Sequence, residues 1–292
     1  MRNLVYSVKK ILNHNRDGSF GTQAEREKVL KMAMEELSRS QFKIHDCTQL
    51  KGKHIRFLVE NWKNKGLSAG TLKNRLSYLR WIAEKIGNPR IVERSNSSYN
   101  IDNRKYVDNY SNKAKNLSES DLELFNSEFL KLSLRLQQNF GLRREESMKF
   151  QPKFADRESK IVLKASWCKG GRIREIPIRT QSQRELLNEI HAFCKRNNAK
   201  SLIPKDRSYI QQLKSYEYYT AKLGINKNHG LRHQYAQNLY KELTGWDCPK
   251  CGGIRSRKLS ESEKQVDLAA RLQISQELGH NREEITAVYL GR

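Results

Sequence analysis

Four short clusters in this chain carry residue types that can grip a phosphate, and a tyrosine follows the last of them. Gly141-Leu142-Arg143-Arg144-Glu145-Glu146 places an arginine where a glycine break opens a helix. Lys169-Gly170-Gly171-Arg172 puts cations at a glycine turn. In His229-Gly230-Leu231-Arg232-His233, His229 precedes or opens a helix and Arg232 lies one turn on. Leu278-Gly279-His280 is followed nine positions later by Tyr289, in the run through Asn281, Arg282 and Thr286. A planar guanidinium holds two phosphate oxygens at once, an imidazole donates to them or moves a proton, and a phenol beside such a grip is a nucleophile. Each cluster alone has a plainer reading: a surface helix start, a solvated turn lysine, a chance His-x-x-Arg pair, a helix-end tyrosine. Their order along the chain, with the turn lysine between the two arginine helices and the tyrosine last, is what carries weight.

The bulk composition agrees with an anionic partner. Among 292 residues, 56 Lys and Arg stand against 32 acids, a net charge of +24. Such a surplus repels itself in the folded state and is most simply explained by a polyanion, here nucleic acid. Apolar residues make up 37%, enough for real cores, and the length suits two domains. The N-terminus leads into Lys9-Lys10 without an apolar stretch, and no segment reaches the roughly 20 apolar residues of a membrane span. A cytoplasmic protein with no membrane partner is expected. Five scattered cysteines (Cys47, Cys168, Cys194, Cys248 and Cys251) fit reduced thiols better than a disulfide framework.

The elements that must position these clusters are mostly helical. Val29, Leu30, Ala33, Met34 and Leu37 recur at helix spacing, as do Ile55, Leu58, Val59 and Trp62. A further stripe runs from Leu72 through Leu76, Leu79 and Ala83 to Ile86, with Ser68 as cap and Gly87 as stop. Lys73 and Arg75 lie opposite that stripe and are candidate phosphate contacts, against the commoner solvated face. Residues 1–95 therefore form a helical domain. Residues 96–117, polar and aperiodic with Asp108-Asn109-Tyr110-Ser111, form a linker. A second domain spans 118–292, its first helix capped by Ser118 with Asp121 three residues on. Phe129 to Leu136 is helical up to Gly141. Alternation of Ile161, Leu163, Ala165 and Trp167, then Gly170-Gly171, then Ile173, Ile176 and Ile178 predicts a β-hairpin. Helices follow near 182–196, 207–223, 232–244 and 262–277. The fold class is thus mainly α with a small β-hairpin, α+β overall.

In this order and context the chain resembles the tyrosine site-specific recombinases of the phage-integrase family. Gly141 to Glu146 looks like that family's first arginine box, Lys169 like its hairpin lysine, His229 to His233 like its second arginine box, and Leu278 to Tyr289 like its final box. Thr286, three before the tyrosine, matches a common family residue. The first domain resembles the family's SAM-like core-binding domain.

The resemblance implies that Tyr289 attacks a scissile phosphate to give a 3′-phosphotyrosyl link, with Arg143 and Arg232 clamping oxygens. His229 and His280 would assist, Lys169 would protonate the 5′-oxygen, and Glu146 would hold an arginine or a helix end. Arg144 and Arg172 would touch the DNA backbone. It further implies double-stranded DNA as partner, a homo-oligomer forming a tetrameric synapse, accessory DNA-bending factors, a bacterial or phage-encoded source and no required cofactor.

Two departures stand out. Arg232 and His280 are 48 positions apart, about twice the expected separation, and the excess, residues 244–261, contains Cys248-Pro249-Lys250-Cys251-Gly252-Gly253. Cys-x-x-Cys with glycine looks like half a zinc knuckle, yet no other Cys or His lies between Cys251 and His280. The alternatives are an exposed insertion loop or a zinc site completed by Cys194, His191 or a partner subunit. Only Leu290, Gly291 and Arg292 follow Tyr289, so the expectation is that restraint of the tyrosine comes from upstream or from a neighbouring subunit. A relaxing topoisomerase of the same chemistry and a DNA-binding regulator with a decayed site are the other readings.

Overall fold

Thirteen α-helices, seven short 3₁₀ turns and one two-stranded sheet are the regular elements of the described residues of this computed structural model, which comprise all but Met1, Lys105, Tyr106, Asn109, Tyr110 and Asn281, and the side chain of Arg2. Lys105, Tyr106, Asn109 and Tyr110 of the expected linker and Asn281 of the last cluster therefore lie outside the described residues. The chain divides into two units, residues 1–105 and 106–292.

The first unit holds α1 (Arg2–His14), α2 (Phe20–Ser38), α3 (Gly52–Asn64) and α4 (Ala69–Lys85). The apolar stripes of the sequence are its core: Leu30, Met34, Ile55, Leu58, Trp62, Leu76 and Leu79 are fully buried. Ser68 Oγ accepts from Thr71 N, satisfying one of the amides that a helix start leaves unpaired. The unit extends beyond the residue 95 expected from sequence. Tyr99 and Ile101 are buried in the same core, and the Tyr99 hydroxyl oxygen accepts from the Glu93 backbone N–H at 2.9 Å. Polar composition hid these two anchors, because two apolar residues make no period.

The second unit begins with α5 (Glu119–Glu123), where Ser118 and Asp121 form a reciprocal capping box. Then follow α6 (Glu128–Phe140), α7 (Arg144–Met148), α8 (Pro152–Ala155), β1 (Lys160–Leu163) and β2 (Arg174–Pro177). The two strands pair antiparallel, with Ile161 opposite Ile176 and Leu163 opposite Arg174. The hairpin is shorter than the alternation suggested. Ala165–Trp167 forms a 3₁₀ turn, so Trp167 reaches the core from a turn and not from a strand, and Ile173 is exposed. The remaining helices are α9 (Gln181–Arg196), α10 (Tyr209–Lys222), α11 (His229–Thr244), α12 (Glu261–Glu277) and α13 (Ala287–Leu290). One core is built by α6, α9, α11, α12 and the sheet, and includes Phe140, Ile176, Leu187, Tyr240 and Leu278. A smaller cluster beneath α5 and α10 includes Phe125, Leu134 and Leu231.

Candidate active site

Five of the six residues expected to act together meet in the second unit, around the C-terminal end of α12. Arg143 caps the start of α7, two residues after Gly141, which ends α6 in a left-handed conformation (φ 59°) that glycine adopts without strain. A side chain at Gly141 would also meet the Tyr235 ring at 2.5 Å. Arg232 lies one turn into α11 and is almost wholly buried, at 1% exposure. Its two terminal nitrogens donate to the carbonyls of Gly141 and Leu278. Arg143 Nη2 donates to the same Leu278 carbonyl at 3.2 Å. The exposed carbonyls at a helix C-terminus carry partial negative charge, and both guanidinium groups gather there.

Glu146 organises the cations from behind. It has no exposed surface, and it accepts from Arg143 N (2.6 Å), Arg143 Nη1 (2.7 Å) and Arg174 Nη2 (2.7 Å). Burial pushes its carboxyl upward, but Arg174, Arg232 and Arg143 outweigh that and hold it below the usual carboxylate range. Burial, and then the repulsion of Arg174 and Arg143, bring the Arg232 guanidinium down to about 10, which leaves it charged at neutral pH. Three arginines share one carboxylate, so the cluster keeps a positive excess.

Tyr289 faces this cluster and is buried, at 4% exposure. Its hydroxyl lies 3.4 Å from Arg232 Nε and 3.5 Å from His280 Nε2. The nine-residue spacing works because His280 follows the turn at Gly279, and Ser275 Oγ donates to the carbonyls of both His280 and Arg282. Thr286 is buried; its hydroxyl donates to Glu283 O, and its carbonyl accepts from Tyr289 N at 2.9 Å. His229 opens α11, with its ring centre 6.1 Å from that of Tyr289. Desolvation and the neighbouring arginines hold His229 below its ordinary range and bring His280 to about 4. All these imidazoles are neutral at pH 7 and can accept a proton.

Lys169 is placed differently. It is exposed in the connection between β1 and β2, and among the described residues no hydrogen bond or ion pair joins it to the other five. Arg172 is exposed in the same connection, while Arg144 pairs with Glu217 at 3.0 Å. In the first unit, Arg75 lies over the Trp62 ring at 4.8 Å, and Lys73 is half-buried on the same helix.

Sequence reasoning overlooked two neighbours. His233 is buried with its ring 4.6 Å from that of Tyr289, and burial brings its imidazole down to about 3. Arg174, two residues after Arg172 on the inward face of β2, is the buried partner of Glu146. Strand alternation from Ile176 signals that inward position.

The 244–261 segment is largely exposed, with Cys251, Gly252 and Ile254 open to solvent, but it is anchored to the rest of the unit. Cys248 is buried in the main core, and Lys250 donates to the Val288 carbonyl beside Tyr289 at 2.9 Å. Among the described residues, no group of three His, Cys, Asp or Glu is arranged to hold a metal, and neither His191 nor Cys194 joins Cys248 and Cys251 in one. His191 instead pairs with Asp156 at 3.1 Å, and Cys194 is buried in the core on α9. Nor is any helix among the described residues long and apolar enough to cross a membrane.

Family models match most of the chain. The model described as "Phage integrase, N-terminal" matches residues 1–92, and that described as "Integrase" matches residues 109–238, which include Arg143, Lys169, His229 and Arg232. The chain belongs to the phage-integrase family of tyrosine recombinases. His280 and Tyr289 lie beyond the matched residues, so their place rests on the geometry just described.

Solved structures share the fold at low identity. The XerH site-specific recombinase bound to a palindromic difH substrate is 17% identical, with TM-score 0.61 over 98% of this chain and 80% of that one. A lambda integrase dimer bound to a COC′ core site is 15% identical, with TM-score 0.60 over 98% and 75%. The Tn1549 transposon integrase with transposon right-end DNA is 14% identical, with TM-score 0.55 over 99% and 94%. No curated protein matches the sequence significantly.

Proposed function

We propose that this chain is a site-specific DNA recombinase or integrase that cuts and rejoins double-stranded DNA to integrate or excise a mobile element. The observation that carries the reading is the Tyr289 hydroxyl set beside Arg232 Nε and His280 Nε2, in contact with a cluster whose arginines outnumber its carboxylate. Tyr289 Oη attacks the scissile phosphorus as its proton passes to a neutral imidazole, His280 or His229. The bond to the 5′-oxygen breaks, and that oxygen takes a proton from Lys169, which the approach of DNA to the hairpin connection would bring into place. One phosphodiester is exchanged for another, so a free 5′-hydroxyl reverses the step and no ATP is consumed. Arg143 and Arg232 stabilise the charge gathering on the non-bridging oxygens. These cations do what Mg²⁺ does in nucleases, so the chemistry requires no metal. Cys248 and Cys251 are read as hydrogen-bonding and packing residues, not zinc ligands.

The neighbours support double-stranded DNA and a homo-oligomer as partners: XerH and Tn1549 integrase are DNA complexes, and lambda integrase is seen as a tetramer on a Holliday junction. A tetrameric synapse, accessory bending factors and a cytoplasmic, bacterial or phage-encoded protein complete the reading. Arg172, Arg144, Lys73 and Arg75 are candidate backbone contacts, which set affinity and its salt dependence more than sequence choice.

Covalent capture tests the reading. Nicked duplexes with randomised flanks are incubated with the protein, and DNA that resists denaturant is recovered and sequenced. Wild type should enrich a defined site, and Tyr289→Phe should recover none. Capture by the Phe variant would show that another residue is the nucleophile.

A further inference from the structure

Helix α13 has four residues, too few to hold its own shape, and its terminal carbonyls point at side chains from other elements. Lys250 Nζ donates to Val288 O at 2.9 Å, Gln237 Nε2 to Tyr289 O at 3.0 Å, and Arg271 Nη1 to Gly291 O at 3.0 Å. Two of these three donors are themselves fixed by the 244–261 segment, and the third belongs to it. Gln237 Oε1 accepts from the Cys251 thiol at 3.2 Å and from Asn112 Nδ2 at 3.2 Å, which sets the orientation of its amide. Arg271 donates to Ser256 Oγ at 3.2 Å and to Asp267 at 2.8 Å.

The segment is stiff where it touches. Cys251 N and Gly253 N both donate to Cys248 O, at 2.8 and 3.0 Å. A side chain at Gly253 would overlap the Asp247 carbonyl at 1.6 Å, so the turn closes only on glycine. Gly291 packs flush against it, and a Cβ there would lie 3.1 Å from Lys250 Cγ and 3.2 Å from Pro249 Cβ.

We propose that residues 248–256 are a clamp that fixes the helix carrying the nucleophile, with Lys250, Gln237 and Cys251 as positioning residues for Tyr289. The proposal rests on the assignment of Tyr289 above. All three act through the helix: Lys250 and Gln237 hold its carbonyls, and Cys251 holds Gln237. Together they set the rotation of α13 and hence the approach of the phenol to Arg232 and His280. Gln237 shares α11 with Arg232, so the element that grips phosphate also grips the tyrosine. A misplacement of about 1 Å at a reacting atom costs on the order of 100-fold in rate.

Lys250→Met, Lys250→Arg, Cys251→Ala and Cys251→Ser separate positioning from folding. The full-length protein is mixed with the nicked duplex enriched by covalent capture, and single-turnover adduct formation is followed. Lys250→Met should slow the adduct roughly 10- to 100-fold while DNA affinity stays within about twofold. Lys250→Arg, which keeps a donor, should recover most of the rate, and Cys251→Ser should lie nearer wild type than Cys251→Ala. A wild-type rate in Lys250→Met overturns the proposal. So does a slowed rate that arginine fails to rescue and that tracks lost DNA binding. Hydrogen exchange at residues 287–291 without DNA reads the clamp separately: faster exchange in Lys250→Met is expected, and unchanged exchange overturns the clamp. Adduct formation by Tyr289→Phe on the same duplex, with exchange behaving as expected, overturns the nucleophile assignment and leaves the clamp as a purely structural device.

Discussion

Replacing Glu146 with glutamine should destabilise the second unit far more than its single lost charge suggests. Glu146 is fully buried, and Arg174 beside it is 4% exposed. Among the described residues, the bond from Arg174 Nη2 to Glu146 is the one hydrogen bond this guanidinium makes, while Arg174 Nε and Nη1 have no partner. Removing one side of a buried pair leaves an uncompensated charge and costs about 3–5 kcal/mol. Arg143 adds little to that cost, because its side chain is 22% exposed and water can solvate it. For a domain of this size, each kcal/mol moves the melting temperature by about 2–4 °C, so Glu146→Gln should melt about 6–20 °C below wild type at pH 7. Pairing the change with Arg174→Met removes the stranded cation, and the double variant should recover at least about 1.5 kcal/mol. The pH dependence has a definite sign. A carboxyl held below its unfolded value contributes stability above that value and loses it as pH falls through the folded one. Wild type should therefore lose this contribution on acidification below its ordinary value of 4.5, and Glu146→Gln should lack that part of the slope. Thermal melts of wild type, Glu146→Gln, Arg174→Met and the double variant across pH 3–7 give the answer. If Glu146→Gln melts within about 2 °C of wild type at pH 7, or if the two penalties simply add, Glu146 is not the keystone of the cationic cluster.

Other residues give independent tests. His233 is buried with its imidazole down at about 3, so unfolding takes up a proton as pH falls from 6.5 toward that value, and stability is lost over that window. His233→Leu should flatten the loss between pH 6.5 and 3 in urea melts, and an unchanged slope would show that its charging does not drive the acid sensitivity. Gly141→Ala should cost about 2–4 kcal/mol, since φ of 59° and the Tyr235 ring at 2.5 Å both oppose a Cβ; a melt within 1 kcal/mol of wild type refutes the strain argument. The variant should also slow adduct formation, because the Gly141 carbonyl holds Arg232. Metal analysis of purified protein should find no stoichiometric zinc, and a chelator should leave the melting temperature unchanged.

The helices were legible because each buries one face, and a stripe such as Leu72, Leu76 and Leu79 repeats at the helical period. Arg143, Arg232, His280 and Tyr289 were singled out for a different reason, since phosphate chemistry admits few residue types, and the structure brings the four together. The hairpin was only half legible. Alternation continues past Leu163 through Trp167, but the strand stops and a 3₁₀ turn carries Trp167 inward, since burial of an aromatic does not require a strand. Lys250 and Gln237 left no trace. They donate to backbone carbonyls, which every residue offers, so nothing in the identity of Val288 or Tyr289 announces a partner. The Cys-x-x-Cys pair drew attention to a segment whose contacts run to α13, and it did so through a pattern that a tight glycine-closed turn shares with zinc ligation. The phosphate grip is therefore written in side-chain types. What holds the helix that carries Tyr289 is written in backbone acceptors, and only the folded chain brings those to their donors.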